Sequence, residues 1–123
     1  MTTEVKVNAH KAETVYISHP EASYGIFCYN SVGDLFLNSD WGFHGYAWRS
    51  YGDDFKKFLA QCGSDYILTK FEMNWVSGGR KKMHPSMKKN VEILIAELIK
   101  YCKENPEWNS EPVVERSVAT EAK

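Results

Sequence analysis

The chain has 123 residues, of which 43% are hydrophobic and 25% are charged, and its formal net charge is −1. This length predicts one domain with enough apolar material to bury a core, and no apolar run approaches the roughly 18 residues that a membrane span needs. The near-neutral charge argues against a dedicated nucleic-acid-binding protein, since such domains are usually strongly basic. We therefore expect a folded, cytoplasmic protein without a membrane-spanning segment.

Four short strands are predicted in the first half of the chain. An alternating run at residues 14–18 is rich in β-branched side chains, and His19-Pro20 stops it because proline cannot donate to a sheet. Residues 24–29, 34–38 and 43–49 follow as a meander, separated by turns that contain asparagine, aspartate and glycine. Because these connections are short, the strands are expected to pair antiparallel.

Two helices and one further strand are predicted in the second half. Asp53 and Asp54 favour a helix start, with Asp53 as the N-cap, and residues 55–62 carry apolar side chains at helical spacing. Residues 66–76 have Ile, Thr, Phe, Met and Trp on one side at a period of two, which predicts a strand. Residues 85–104 have the clearest apolar stripe in the chain, with a proline at the start and Asn-Pro after the end.

These elements predict an α+β fold. We expect a mostly antiparallel sheet, arranged as a meander, with two α-helices packed on one face. Residues 1–105 are predicted to form this single domain. Residues 106–123 carry several glutamates and no periodicity, so they are predicted to form an acidic, flexible C-terminal tail.

Aromatic residues are concentrated in the predicted meander and the helix after it, since 11 of the chain's 17 lie between residues 24 and 58. Both faces of the meander are apolar, whereas a sheet with helices on one side needs only one apolar face. The second face is either covered by the chain's own termini or left for a partner. Since Tyr, Trp and Arg dominate binding hot spots, we predict a partner-protein site at Trp41, Tyr46, Trp48 and Arg49. A homodimer through the same face fits the pattern equally.

A basic loop provides an alternative function. Arg80, Lys81 and Lys82, together with Lys88 in the following helix, form the only dense positive patch in the sequence. Two preceding glycines and a helix start could present backbone amides to an anion, which favours a nucleotide or nucleic-acid backbone. The spacing matches no phosphate-binding loop, so a solvated loop is the competing interpretation.

The search for catalytic and metal sites is mostly negative. The four histidines show no metal-ligand spacing, and Cys28, Cys62 and Cys102 are too far apart for a disulfide framework or a zinc knuckle. We therefore expect no metal, no cofactor and no enzymatic activity. If the protein is a small enzyme after all, Asp40 and His44 flank one turn and could converge, and Cys28 could meet His44 across the meander.

Three stretches resemble a known class of proteins. Residues 33–42, residues 46–49 (Tyr-Ala-Trp-Arg) and residues 54–59 (Asp-Phe-Lys-Lys-Phe-Leu) look like those of uncharacterised small accessory proteins of tailed bacteriophages and prophages. The resemblance implies a phage accessory protein that acts in a bacterial cytoplasm. Such proteins often bind and inhibit a host enzyme or a host defence complex, and some sequester nucleotide signals. The resemblance brings no functional residues with it.

Overall fold

The computed structural model describes residues 4–109, and the first half of this region is a four-stranded antiparallel sheet. The strands are β1 (Ala12–His19), β2 (Ser23–Asn30), β3 (Asp34–Ser39) and β4 (Gly42–Ala47). Each strand pairs with the next along the chain, which leaves β1 and β4 at the two edges. The four predicted strands and their antiparallel pairing are confirmed.

The turn between β2 and β3 shows how local sequence sets the meander. The side-chain oxygen of Asn30 accepts hydrogen bonds from the backbone N–H groups of Val32 (3.1 Å) and Asp34 (3.0 Å). Gly33 has a positive φ of 99°, and a Cβ there would lie 2.0 Å from the carbonyl oxygen of Trp48. Only glycine fits this position, so the predicted turn chemistry determines the hairpin register.

The register assigns the strand residues to two faces. Val15 lies opposite Phe27, Phe27 opposite Leu37, and Leu37 opposite His44, and residues directly opposite each other share a face. This row is in the hydrophobic core or packs against it, and we call its side of the sheet the helix-covered face. The strand residues that alternate with this side point the other way and form what we call the open face: Ala12, Thr14, Tyr16, Ser18, Tyr24, Ile26, Cys28, Asn30, Asp34, Phe36, Asn38, Phe43, Gly45 and Ala47.

Three helices pack on the helix-covered face: α1 (Phe55–Gln61), α2 (Ser64–Ser77) and α3 (Pro85–Glu104). α3 contacts β1 and β2, α2 contacts β4, and both shorter helices pack against α3. The apolar stripe of α3 is buried as predicted, from Val91 through Leu98 to Cys102. The α+β class and the one-sided packing are therefore confirmed, but the structure has three helices where two were predicted.

The N-cap of α1 lies one residue later than predicted, at Asp54 instead of Asp53. Asp54 is the N-cap, and its carboxylate accepts hydrogen bonds from the backbone N–H groups of Lys56 and Lys57. Such a cap satisfies amides that have no partner within the helix. The helix is short, and Gly63 already belongs to the start of α2 as its N-cap.

The prediction of a strand at residues 66–76 is wrong, because this segment forms most of α2. Ile67, Leu68 and Phe71 are buried, whereas Met73 is 51% exposed. A strand would have placed Phe71 and Met73 on one face, but a helix turns them in different directions. The apolar residues of this segment fit the period of two of a strand and also the 3.6-residue period of a helix. Packing against α3 and β4 selects the helix.

The predicted C-terminal tail begins within the described residues. Residues 106–109 continue from α3 back across the domain, where the Trp108 ring packs edge-on against Tyr29 with centroids 5.6 Å apart. The indole N–H of Trp108 donates to Asp54 (3.1 Å). The other residues of the predicted tail, 110–123, lie outside the described part of the chain.

Candidate functional site

The open face is a candidate interaction surface because its centre is aromatic and exposed. Tyr16 is 64% exposed, Phe36 55% and Phe43 76%, and these rings come from β1, β3 and β4. Half-buried side chains of β2 lie between them: Tyr24, Ile26 and Cys28. In the described part of the chain, every helix lies on the other side of the sheet.

The rings of the open face lie against their neighbours within the sheet. Tyr16 and Tyr24 are near-parallel, with ring centroids 6.4 Å apart and an angle of 18° between their planes. A Cβ on Gly45 would lie 3.0 Å from the Phe36 ring, so the missing side chain leaves room for that ring to cover β4. Tyr16 and Phe36 therefore lie close to neighbouring residues of the open face rather than standing apart from them.

The open face is also poor in charge. Among the strand residues that point to this side, Asp34 is the only Asp, Glu, Lys or Arg. Its carboxylate lies 3.0 Å from the guanidinium of Arg49, and Arg49 also donates to the Val32 carbonyl (3.0 Å). The remaining polar residues are neutral and alternate with the rings: Thr14, Ser18, Asn30 and Asn38. The chemistry of this face therefore suits an apolar, weakly charged partner surface.

The structure does not bring the four predicted partner-binding residues together on this face. Trp48 is only 7% exposed, and its indole N–H donates to the Tyr66 hydroxyl (3.0 Å). Tyr46 packs against Trp48 on the helix-covered face, with ring centroids 4.8 Å apart. Trp41 is half-buried in the β3–β4 turn and donates to the Ala22 carbonyl (2.8 Å). Only Arg49 lies exposed beside the open face.

Strand alternation explains why these residues lie apart. In β4 and just after it, His44, Tyr46 and Trp48 point toward the helices, so Phe43 points the other way. The sequence contained a signal that distinguishes the two faces, because neutral polar residues alternate with the rings along the rows of the open face. The opposite rows are more continuously apolar, which is typical of the side that packs against helices.

The basic loop is only partly free to bind an anion. The ammonium group of Lys88 lies 3.4 Å from the Glu72 carboxylate, and the guanidinium of Arg80 lies over the Trp75 ring at 4.6 Å. Lys81 and Lys82 are exposed. The loop backbone is tied to α2 where the Met83 N–H donates to Glu72. Half of the predicted phosphate-binding cations therefore already contact side chains of α2.

The residues proposed for an enzyme occupy separate environments. Asp40 accepts a hydrogen bond from the Ser23 hydroxyl, while Nε2 of His44 lies 2.7 Å from the Trp41 carbonyl. Cys28 and His44 lie on opposite faces of the sheet, so they form no thiol–imidazole pair. Burial raises the pKa of the Cys62 thiol, and likewise that of Cys102, to about 11, which keeps both thiols protonated near neutral pH.

A buried polar network lies under the C-terminal segment, and the sequence did not predict it. The Lys56 ammonium is 2.9 Å from the Glu13 carboxylate and 2.6 Å from the Glu107 carbonyl oxygen. Glu13 also accepts hydrogen bonds from the Tyr29 hydroxyl and the Asn109 N–H. Burial and the bond to Glu13 raise the pKa of Tyr29 above its usual range. The network joins β1, β2, α1 and the segment after α3.

Next to this network lies an open cavity of about 690 Å³. Its lining combines three lysines, Lys11, Lys57 and Lys103, with the Trp108 ring. Lys11 lies over that ring at 5.2 Å from its centroid. In residues 4–109, no group of three His, Cys, Asp or Glu side chains is arranged to hold a metal ion. Across the same residues, none of the helices is both long and apolar enough to cross a membrane.

Comparison with known proteins identifies a family. Residues 5–116 match the model of a family described as a phage family, Phage_phiTE_072. No curated protein and no solved structure matches the chain. The matched region includes all four strands and all three helices, which confirms the resemblance to small phage proteins. The chain therefore belongs to this phage family.

Proposed function

We propose that this phage protein is a non-enzymatic accessory protein that binds and inhibits a host protein or defence complex in the bacterial cytoplasm. The open face is the proposed binding surface, and the partner contributes an apolar, weakly charged surface of its own. One observation carries the proposal: Tyr16, Phe36 and Phe43 are each more than half exposed on the same side of the sheet, which none of the three helices of residues 4–109 covers.

Large exposed aromatic side chains favour protein binding for a physical reason. They bury extensive rigid surface while few rotatable bonds become fixed, so they dominate the binding energy of many interfaces. Contiguous apolar patches on soluble proteins commonly mark interaction sites, whereas single exposed apolar residues need no explanation. Each of the four strands contributes one ring to the open face, Tyr16, Tyr24, Phe36 and Phe43, which supports a docking surface.

The charge distribution favours a protein over a nucleic acid as the partner. Nucleic-acid binding depends on Lys and Arg contacts to phosphates, and the strand residues of the open face include neither. The basic loop is separate from this face, and two of its cations contact Glu72 and Trp75. Binding through the open face should therefore persist at high salt.

The proposal is tested with the tagged chain, which is used to capture partners from bacterial lysate with and without nuclease treatment and at two salt concentrations. A captured host protein is then purified, its affinity for the chain is measured by calorimetry, and its own activity is assayed with and without the chain. We expect Phe43→Ser, and separately Phe36→Ser, to weaken this affinity by about tenfold or more. Inhibition should weaken in parallel.

Met73→Ser is the matched control, because Met73 is about as exposed as Phe36 but lies on α2, on the other side of the sheet. It should bind like the unmodified chain, and circular dichroism should show the same fold for all variants. If the Phe43→Ser and Phe36→Ser variants bound the partner as tightly as the unmodified chain, the proposal would be contradicted. Capture of nucleic acid alone, or salt-sensitive capture, would instead favour the basic loop.

A further inference from the structure

The outer edge of β1 is a free sheet edge. β1 pairs with β2 over eight residues, and its other side has no strand partner in the described residues. The Ser31 N–H donates to the Lys11 carbonyl (2.9 Å), so alternation directs the backbone groups of Thr14, Tyr16 and Ser18 outward. The opposite edge differs, because Asn74 donates to the outward carbonyl of Gly45 (2.9 Å).

A groove runs along this free edge. It has a volume of about 350 Å³ and is lined on one side by residues 15–18 of β1. Its other side is the outer face of α3, with Glu97, Lys100, Tyr101 and Glu104. Val15 and Ile17 point toward the helices but are only partly buried, so an added strand could complete their cover.

The segment before β1 has the alternating apolar and polar residues of a strand, but it pairs with no strand in the described residues. Residues 4–11 belong to no helix or strand and are exposed throughout. Val5 is 82% exposed and Val7 is 87% exposed. Val5, Val7 and Ala9 alternate with Lys6, Asn8 and His10, which is the period of a half-buried strand. We call residues 4–11 the N-terminal arm.

We propose that two copies of this chain form a symmetric dimer in which the N-terminal arm of each copy adds a strand to the β1 edge of the other. The arm and the edge are of matching length. In an antiparallel register that places Val7 opposite Ile17, Ala9 lies opposite Val15 and the two-fold axis passes near Ala12. In this register, odd-numbered residues of the arm lie opposite odd-numbered residues of β1 and point to the same face of the sheet. The apolar arm residues Val7 and Ala9 therefore lie beside Ile17 and Val15.

The arm cannot occupy the edge of its own copy. It runs directly into β1, and folding back would need a reversal between the arm and Ala12. The Lys11 carbonyl already accepts a hydrogen bond from the Ser31 N–H on the inner side, and a reversal at this residue would break that bond. A second copy is therefore the source of the strand. This exchange extends the sheet sideways and leaves the open face uncovered, so it does not depend on the proposed function.

Sedimentation velocity of the full chain over a wide concentration range tests the dimer. We expect a dimer whose dissociation constant rises by about tenfold or more in Val7→Asp, because a charge would replace a buried apolar side chain. Val7 makes no core contact within its own copy, so the variant should fold normally. Hydrogen exchange at the amides of Thr14, Tyr16 and Ser18 should be slow in the unmodified dimer and fast in this variant.

Asn8→Asp is the matched control, since it adds the same charge at the neighbouring position, which points to the other side of the arm. It should keep the dimer and the slow exchange. Three results would overturn the proposal: a chain that is monomeric at every concentration, a dimer that survives Val7→Asp, or equal loss of the dimer in Asn8→Asp.

Discussion

Lys56 is the most deeply buried charged residue in the described part of the chain, with 1% of its surface exposed. A buried ammonium group is unfavourable unless it is paired and hydrogen-bonded. Glu13 and the Glu107 carbonyl meet this need, and the Tyr101 ring lies 5.1 Å from the ammonium group. The neighbours of Lys56 in sequence did not indicate its burial, because these partners come from distant parts of the chain.

Lys56→Met should therefore be strongly destabilising. It removes one partner of a buried ion pair and leaves the Glu13 carboxylate without a cation, which typically costs about 3–5 kcal/mol of unfolding free energy. The double variant Glu13→Gln with Lys56→Met should recover much of this loss. Urea denaturation monitored by tryptophan fluorescence measures both. A double variant no more stable than Lys56→Met would show that the network contributes through packing alone.

The shifted pKa of His44 makes the stability of the folded chain depend on pH. Burial lowers the pKa of His44, and the nearby Arg80 charge lowers it further, although the bond to the Trp41 carbonyl opposes the shift. The carbonyl can only accept, so Nε2 carries the proton, and Nδ1 has no partner in the described residues. Below the unfolded value of about 6.5, the unfolded chain therefore takes up a proton more readily than the folded one.

The free energy of unfolding should fall as the pH drops from about 6.5 toward the lowered pKa of His44, by at most about 1.4 kcal/mol per pH unit from this residue. Above about 6.5 this contribution should be constant. His44→Phe should flatten that part of the pH profile, whereas His10→Gln, in the exposed N-terminal arm, should leave it unchanged. Denaturation at a series of pH values checks both variants. If the free energy of unfolding had the same dependence on pH in the unmodified chain and in both variants, the pH dependence would not come from His44.

At the scale of elements, the strands and α3 were predictable because their signals are local. Alternation, turn residues and a four-turn apolar stripe each act within a few residues, and little competes with them. Residues 66–76 were not predictable, since their apolar side chains satisfy a period of two and a helical face together. α3 and β4 provide the surface that buries Ile67, Leu68 and Phe71, and that packing selects the helix.

Paired substitutions in α2 test this assignment. Phe71→Ala should lower the free energy of unfolding by about 3–5 kcal/mol, because it removes a fully buried ring and leaves a cavity. Met73→Ala should change it by less than about 1 kcal/mol, because Met73 is half exposed and alanine favours a helix. Chemical denaturation measures both. Similar large losses in the two variants would indicate the one-sided burial of a strand.

At the scale of the whole molecule, two apolar sheet faces compete for one layer of helices. The helices cover the face with Phe27, Leu35 and Leu37, which leaves the rings of Tyr16 and Phe43 toward solvent. The aromatic excess of this region left open whether the second apolar face is covered by the chain itself, and the predicted binding residues came largely from the covered side. The segment after α3 also contributes to the domain, through Trp108.

The sequence by itself determined the strand order, the turns, the start and end of α3 and the α+β class, because each depends on residues close together in the chain. Only the tertiary structure decided which sheet face is open, that residues 66–76 are helical, and that Lys56 is buried against Glu13. These outcomes depend on which distant surfaces exclude water from one another. The free energy of apolar burial arises where two elements pack against each other, so no single segment of the sequence contains it.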